Sequence, residues 1–238
     1  PIIQFLITLL LFGKTLSEYV KFRKLNFETP MLKVLLGYTL ISFVATVCSN
    51  LVDIDFRTSI SEKLSENEAG IWTAMSSISK IYMQFLIAIF SLYILPKYAE
   101  INSSFGFRSE LKSIYKSLLP LVVLGMLIVY FLREFIILTI YNEAFLSMTL
   151  LFKWQLLADF IRFIANVMSF KFLAKKQISY FIYTQLVGLL LYHVLGHHLI
   201  ETYKTEGVVM GLFVSNLIYL GSVMTVLRHD LFGKNRPM

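Results

Sequence analysis

Residues Met148–Leu173 read MTLLFKWQLLADFIRFIANVMSFKFL, an apolar run carrying Gln155, Asp159, Arg162, Asn166 and Ser169 at steps of four, three, four and three. Those steps place the five side chains on one face of an α-helix. The run is long enough to cross a bilayer, which takes about 20 apolar residues. A charge at the bilayer centre costs about 2.5–3.5 kcal/mol on insertion scales, so Asp159 and Arg162 must face protein or a water-filled cavity.

The rest of the chain reads the same way. Of 238 residues, 57% are hydrophobic and 16% charged, with a mean hydropathy of +0.69. Soluble domains run nearer 45–50% apolar and about 25% charged. Long runs such as Leu118–Leu132 lack the alternation of barrel strands, so the expected class is an all-α, polytopic membrane bundle. Further spans are expected at Val34–Val52 (continuing to Arg57), Ile71–Leu95 (ended by Pro96), Leu118–Ile140, Ile178–Ile200 and Val208–Leu227. Pro1–Phe12 reads as the tail of a span cut partway, as in a fragment of a longer protein.

Loop charges orient these spans. One set of connections carries fifteen basic and five acidic residues, among them Lys97, Arg108, Lys171, Lys175, Arg228 and Lys234. The alternate set carries four basic residues (Arg57, Lys63, Arg133, Lys204) against nine acidic ones. By the positive-inside rule the first set is cytoplasmic, and so is the C-terminus. The net charge of +7 is spread over four cytoplasmic segments, where anionic headgroups account for it, and nucleic acid is excluded as a partner. Cys48 is the only cysteine, so no intrachain disulfide forms.

Two other spans carry polar rows: Thr39, Ser42, Thr46, Ser49 or Asn50, Asp53 and Arg57 in one, and Thr73, Ser76 or Ser77, Lys80, Gln84 and Ser91 in the next. Hydroxyls in such rows usually join packed helices, whereas charges more often mark a substrate or ion path. Asp159 and Arg162, three residues apart, are placed to pair. Lys153 is expected to snorkel. His193 and His197 have metal-ligand spacing, but no carboxylate stands beside them in their span. They read as interfacial histidines, and no metal or cofactor is expected. Trp72 and Trp154 fit an aromatic belt, and Gly207 and Gly211 a close helix packing. No P-loop, nucleophile elbow or dinucleotide fingerprint occurs, so no enzyme is expected and any transport would run on an ion gradient, the membrane potential or substrate supply rather than on ATP hydrolysis.

The stretch Glu68–Ala69–Gly70–Ile71–Trp72, with Ser76–Ser77–Ile78–Ser79 and Gln84–Phe85, resembles the Wzx-type flippases of enteric bacteria. The likeness continues through Leu95–Pro96, Lys116–Ser117–Leu118, Trp154–Gln155–Leu156 with Asp159, and Ala174–Lys175. It is nearest to the lipid III (enterobacterial common antigen) and O-antigen translocases of the multidrug, oligosaccharidyl-lipid and polysaccharide exporter superfamily. The resemblance implies a MATE-like fold of twelve helices in two six-helix lobes around a cavity. Residues 1–33 would then be the end of helix six and a cytoplasmic linker, and residues 34–238 the C-terminal lobe.

The resemblance further implies movement of an undecaprenyl-pyrophosphate-linked oligosaccharide from the inner to the outer leaflet of the bacterial plasma membrane. A multidrug exporter is the alternative, and a membrane-embedded polymerase or acyltransferase a more distant one, since the external loops are short. Membrane lipids, and a polymerase and chain-length regulator of the glycan pathway, are the further partners implied. On this reading Arg162 and Lys80 contact pyrophosphate, with Arg57 at the outer mouth. Gln155, Asn166 and Gln84 line the cavity. Asp159 is a partner of Arg162 or a protonation switch, and Asp53 a second acidic residue for charge pairing or ion coupling. Lys80 departs from the family pattern, which has an acidic residue at the corresponding place.

Overall fold

Apolar periodicity, capping and packing together set the helices in the computed structural model of the chain, which describes residues 29–233. The expected span tail and linker at residues 1–28, and the basic Lys234 and Arg236, lie outside the described residues. The chain divides into two units, Pro1–Ser42 and Phe43–Met238, and no strand occurs among the described residues. Of the first unit, the described part is the beginning of α1 (Thr29–Lys63).

In the second unit α1 is followed by α2 (Glu66–Glu100), α3 (Ser104–Phe131) and α4 (Arg133–Ile140). A 3₁₀ turn, Glu143–Met148, leads into α5 (Thr149–Ala174). The helical run Ile178–Val226 reverses at Lys204 (φ 54°, ψ −140°), giving α6 (178–203) and α7 (205–226), and α8 (Arg228–Phe232) follows. Side-chain caps start three of these elements. Ser65 accepts from the Glu68 amide, Ser103 from that of Gly106, and Asn142 from that of Ala144.

Helices therefore cover the expected spans from Val34 onward, with two boundary corrections. Pro96 does not end its helix, which runs on to Glu100. A proline removes one backbone donor, and here burial of Ile94 and Tyr98 together with the Lys97–Glu110 ion pair (2.8 Å) holds the continuation. The helix of the expected Leu118–Ile140 span begins at Ser104 and breaks at Leu132. Arg133 donates to the Tyr130 carbonyl at 2.7 Å and covers the Tyr130 ring, satisfying an oxygen at that helix end. Among the described residues, Glu66–Glu100, Ser104–Phe131 and Ile178–Val226 are long and apolar enough to cross a membrane. α5 differs from them because every 18-residue stretch of it holds Asp159, Arg162 and either Lys153 or Lys171.

α5 is the central helix, buried on most sides by α2, α3, α6 and α7. Two apolar clusters are stacked along it. One gathers Phe56, Trp72, Met75, Phe152, Tyr192 and Val208; the other Met83, Tyr98, Phe107, Phe163, Tyr219 and Val223. The first cluster lies toward the acidic loops, where Lys63 meets Glu201 (3.2 Å) and Lys153 meets Glu206 (2.9 Å). The second lies toward the basic loops, where Lys171 bonds Asp230 (2.6 Å) and Lys175 donates to the Ala99 carbonyl (3.0 Å). Among the described residues of this unit, basic and acidic connections thus lie at opposite ends. Trp72 belongs to the acidic-end core, 3% exposed, and not to a lipid-facing belt.

α6 and α7 approach closely enough that glycine is required. A Cβ at Gly207 would lie 2.2 Å from the Leu199 carbonyl oxygen, and one at Gly211 2.8 Å from the Gly196 nitrogen. Gly125 on α3 faces open space. Gly211→Ala should therefore lower stability by about 1–3 kcal/mol through forced separation of the helices. Gly125→Ala should instead raise it by up to about 1 kcal/mol. Thermal unfolding in detergent compares the two directly.

At the basic end, Asp230 also accepts from Ser104 at 2.8 Å. Burial opposes its ionisation, but the Lys171 ammonium and the Ser104 hydroxyl outweigh this and hold the carboxyl below its ordinary value. A depressed carboxylate contributes stability above the unfolded value and loses it as pH falls through the folded one. The stability gap between wild type and Asp230→Asn should be full at neutral pH and close progressively below about pH 4.

Candidate functional site

The two apolar clusters are separated by a polar layer at mid-height of α5. Ser79 and Tyr82 of α2, and Gln155 and Asp159 of α5, form its centre. Asp159 is 1% exposed and accepts from the Ser79 hydroxyl (2.6 Å), the Tyr82 hydroxyl and the Gln155 amide (3.2 Å). Gln155 also donates to the Ser79 oxygen at 2.9 Å. On the α7 side, Asn216 donates to the Ala158 carbonyl at 3.0 Å. A buried carboxylate costs several kcal/mol unless fully bonded. Three donors from two helices make that carboxyl a fixed junction between α2 and α5.

The polar row of α5 does not act as one face. Gln155 and Asp159 turn toward α2. About two and three turns on, Asn166 and Ser169 are buried against other neighbours: Asn166 accepts from Tyr219 of α7 (3.2 Å), which in turn receives a bond from Gln185 of α6 (3.0 Å). Ser169 bonds back to the Asn166 carbonyl. Gln155 and Asn166, expected on a cavity wall, are thus 3% and 8% exposed and bonded inside the bundle. The expected Asp159–Arg162 ion pair does not form, because the carboxylate turns inward to its three donors.

Arg162 is exposed and has no ion pair among the described residues. It lies within electrostatic reach of Asp159, Tyr192 and Tyr219. Tyr192 is also within reach of Asp53. Asp53 pairs with Lys80, joining α1 to α2, and the Lys80 side chain remains 51% exposed. Arg57 and Gln84 are exposed as well. The structure therefore brings Asp53, Lys80 and Arg162 to one region and leaves Arg162, Lys80, Arg57 and Gln84 accessible.

Sequence reasoning missed Ser79 and Tyr82, because it followed the Thr73–Lys80–Gln84 row one position away. The signal was present. Trp72, Met75, Ser79, Tyr82 and Met83 lie on the buried stripe of α2, and Ser79 is a small polar residue inside it. Thr73 and Ser77 bond their own helix carbonyls (2.6 and 2.8 Å) rather than joining helices. A carboxylate does stand beside His193 and His197, namely Asp55 of α1, 2.5 Å from the His197 Nε2.

The chain is similar to the lipid III flippases of Escherichia coli strain K12 and Shigella flexneri. Each is 28% identical to it over 200 residues, which make up 84% of the chain and 48% of the relative. The chain thus spans about half the length of the curated relatives it matches. No family model matches it, and no solved structure does. The resemblance to Wzx-type flippases read from the sequence is borne out by these two relatives.

The geometry predicts which pairs are energetically coupled. A double-mutant cycle on Ser79→Ala and Asp159→Asn should show about 0.5–3 kcal/mol of coupling, as for groups in one hydrogen-bond network. The Arg162→Ala and Asp159→Asn cycle should show clearly less, read from unfolding in detergent.

Proposed function

We propose that the chain forms the C-terminal lobe of a flippase for an undecaprenyl-pyrophosphate-linked oligosaccharide, carried from the inner to the outer leaflet of a bacterial plasma membrane. The observation that carries this reading is Arg162, an exposed guanidinium at mid-height of the central helix, without a carboxylate partner among the described residues. In a membrane such a group must face water or an anion. A pyrophosphate matches it, since guanidinium–phosphate bonds are bidentate and charge-assisted. The polyprenyl tail needs no polar path, whereas the glycan and pyrophosphate do. Similarity to two proteins named lipid III flippase supports the same substrate class.

The residues divide by exposure into two roles. Arg162 and Lys80 contact the pyrophosphate, Arg57 stands at the outer mouth and Gln84 offers an amide to sugar hydroxyls. Asp53 orients Lys80. Asp159, Gln155 and Asn166 position the central helix, so that Arg162 projects where it does. The basic end is cytoplasmic, as the loop charges require.

Variants introduced into the complete gene test this division. Arg162→Ala should abolish or strongly reduce surface glycan in a flippase-deficient strain, with membrane level and thermal stability unchanged. Asp159→Asn should reduce glycan together with thermal stability. Wild-type glycan from Arg162→Ala would remove the pyrophosphate contact, and with it the reading.

A further inference from the structure

At the acidic end, α1 and α6 hold a cluster that neither the pyrophosphate path nor the apolar core uses. His193 and His197 are one helical turn apart, so both imidazoles leave the same face of α6. Asp55 reaches them from α1. Its Oδ2 lies 2.5 Å from His197 Nε2 and 3.4 Å from His193 Nδ1. One ligand atom from each of the three residues falls within 4.8 Å of the others. The Nδ1 of His193 is buried and has no hydrogen-bond partner among the described residues.

The arrangement is built by packing. Phe56, fully buried, sits over Gly196, where a Cβ would come within 2.4 Å of its ring. The same ring stacks on His197, with centroids 5.1 Å apart and planes at 24°. Phe56 therefore fixes Asp55, its neighbour in sequence, against the two histidines. The side chains keep 28–44% exposure, which leaves an ion a route in. The nearby Lys63 and Lys80 are taken by Glu201 and Asp53.

We propose that Asp55, His193 and His197 bind a divalent transition-metal ion of the zinc class, tying the acidic end of α1 to α6. Two imidazoles and a carboxylate suit zinc, whereas magnesium and calcium take oxygen sets. Zinc bonds of about 2.0–2.2 Å place tetrahedral ligand atoms roughly 3.4 Å apart; Asp55 and His193 already stand at that separation, and the 2.5 Å Asp55–His197 contact opens by about 0.9 Å to admit the ion. A hydrogen bond from His197 to Asp55 alone would leave the His193 Nδ1 unpartnered, and a metal ion satisfies all three groups. Val194 stands where zinc hydrolases carry their general-base glutamate, so the site acts as a staple between helices. The inference is independent of the flippase reading.

Zinc titration of the purified chain in detergent, by calorimetry and by competition with a chromophoric chelator, tests it. Wild type should bind one equivalent at micromolar concentration or below, and zinc should raise its unfolding temperature. Cobalt in place of zinc should give visible d–d absorption of a nitrogen–oxygen site. His197→Ala, His193→Gln and Asp55→Asn should each weaken binding by at least about tenfold, with far-ultraviolet circular dichroism unchanged. His198→Ala, on the exposed neighbour, should leave binding intact. Absence of saturable binding by wild type would overturn the proposal. So would undiminished binding by a folded variant lacking both His193 and His197.

Discussion

The bundle is organised around a helix that lipid alone would reject. α5 carries an aspartate and an arginine at mid-height, and the two charges are handled in opposite ways. Asp159 is enclosed and given three donors, whereas Arg162 is left accessible. Enclosing the carboxyl requires α2 to present Ser79 and Tyr82 at one height. That height then separates the apolar cores, with Trp72 and Met75 on one side and Met83 and Ile94 on the other. The polar layer acts as a register mark. Sliding α2 by one turn along α5 would leave a buried carboxyl facing Met75 or Met83.

The spans were legible because hydropathy and loop charge are properties of short segments. The boundaries at Pro96 and Leu132 were not, since tertiary packing decided both. The polar row of α5 was legible as a row, yet its division was hidden. Steps of three and four cover an arc of the helix, and which neighbour meets each part of that arc depends on other segments. Asn166 and Asp159 differ in sequence by seven positions and in partners by a whole helix. The histidine pair shows the same limit more sharply. Its spacing was visible within one span, but the carboxylate that completes it comes from 138 positions away in the case of His193.

The two ends are fastened by different chemistry. At the basic end, lysines reach carboxylates and carbonyls across connections, as Lys171 does to Asp230 and Lys175 to Ala99. At the acidic end, the Lys63–Glu201 and Lys153–Glu206 pairs are joined by aromatic packing and close backbone contact, with Phe56 seated over Gly196 and α7 pressed on α6. Exposed ion pairs contribute little individually and weaken in salt. Glycine-mediated contact is insensitive to salt and depends instead on shape.

The charge content of α5 also bears on how the protein enters the membrane. Insertion scales put each mid-span charge at about 2.5–3.5 kcal/mol against partition, and α5 has no eighteen-residue stretch with fewer than three charged residues. Domains emerge from the ribosome in chain order, so α2 is synthesised some fifty residues or more before α5. Its Ser79 and Tyr82 are then available as donors to the incoming carboxyl, while the α6–α7 hairpin is made afterward and closes the other side. α5 is thus shielded by helices made both before and after it, and its carboxyl is fully enclosed only once the whole bundle is complete.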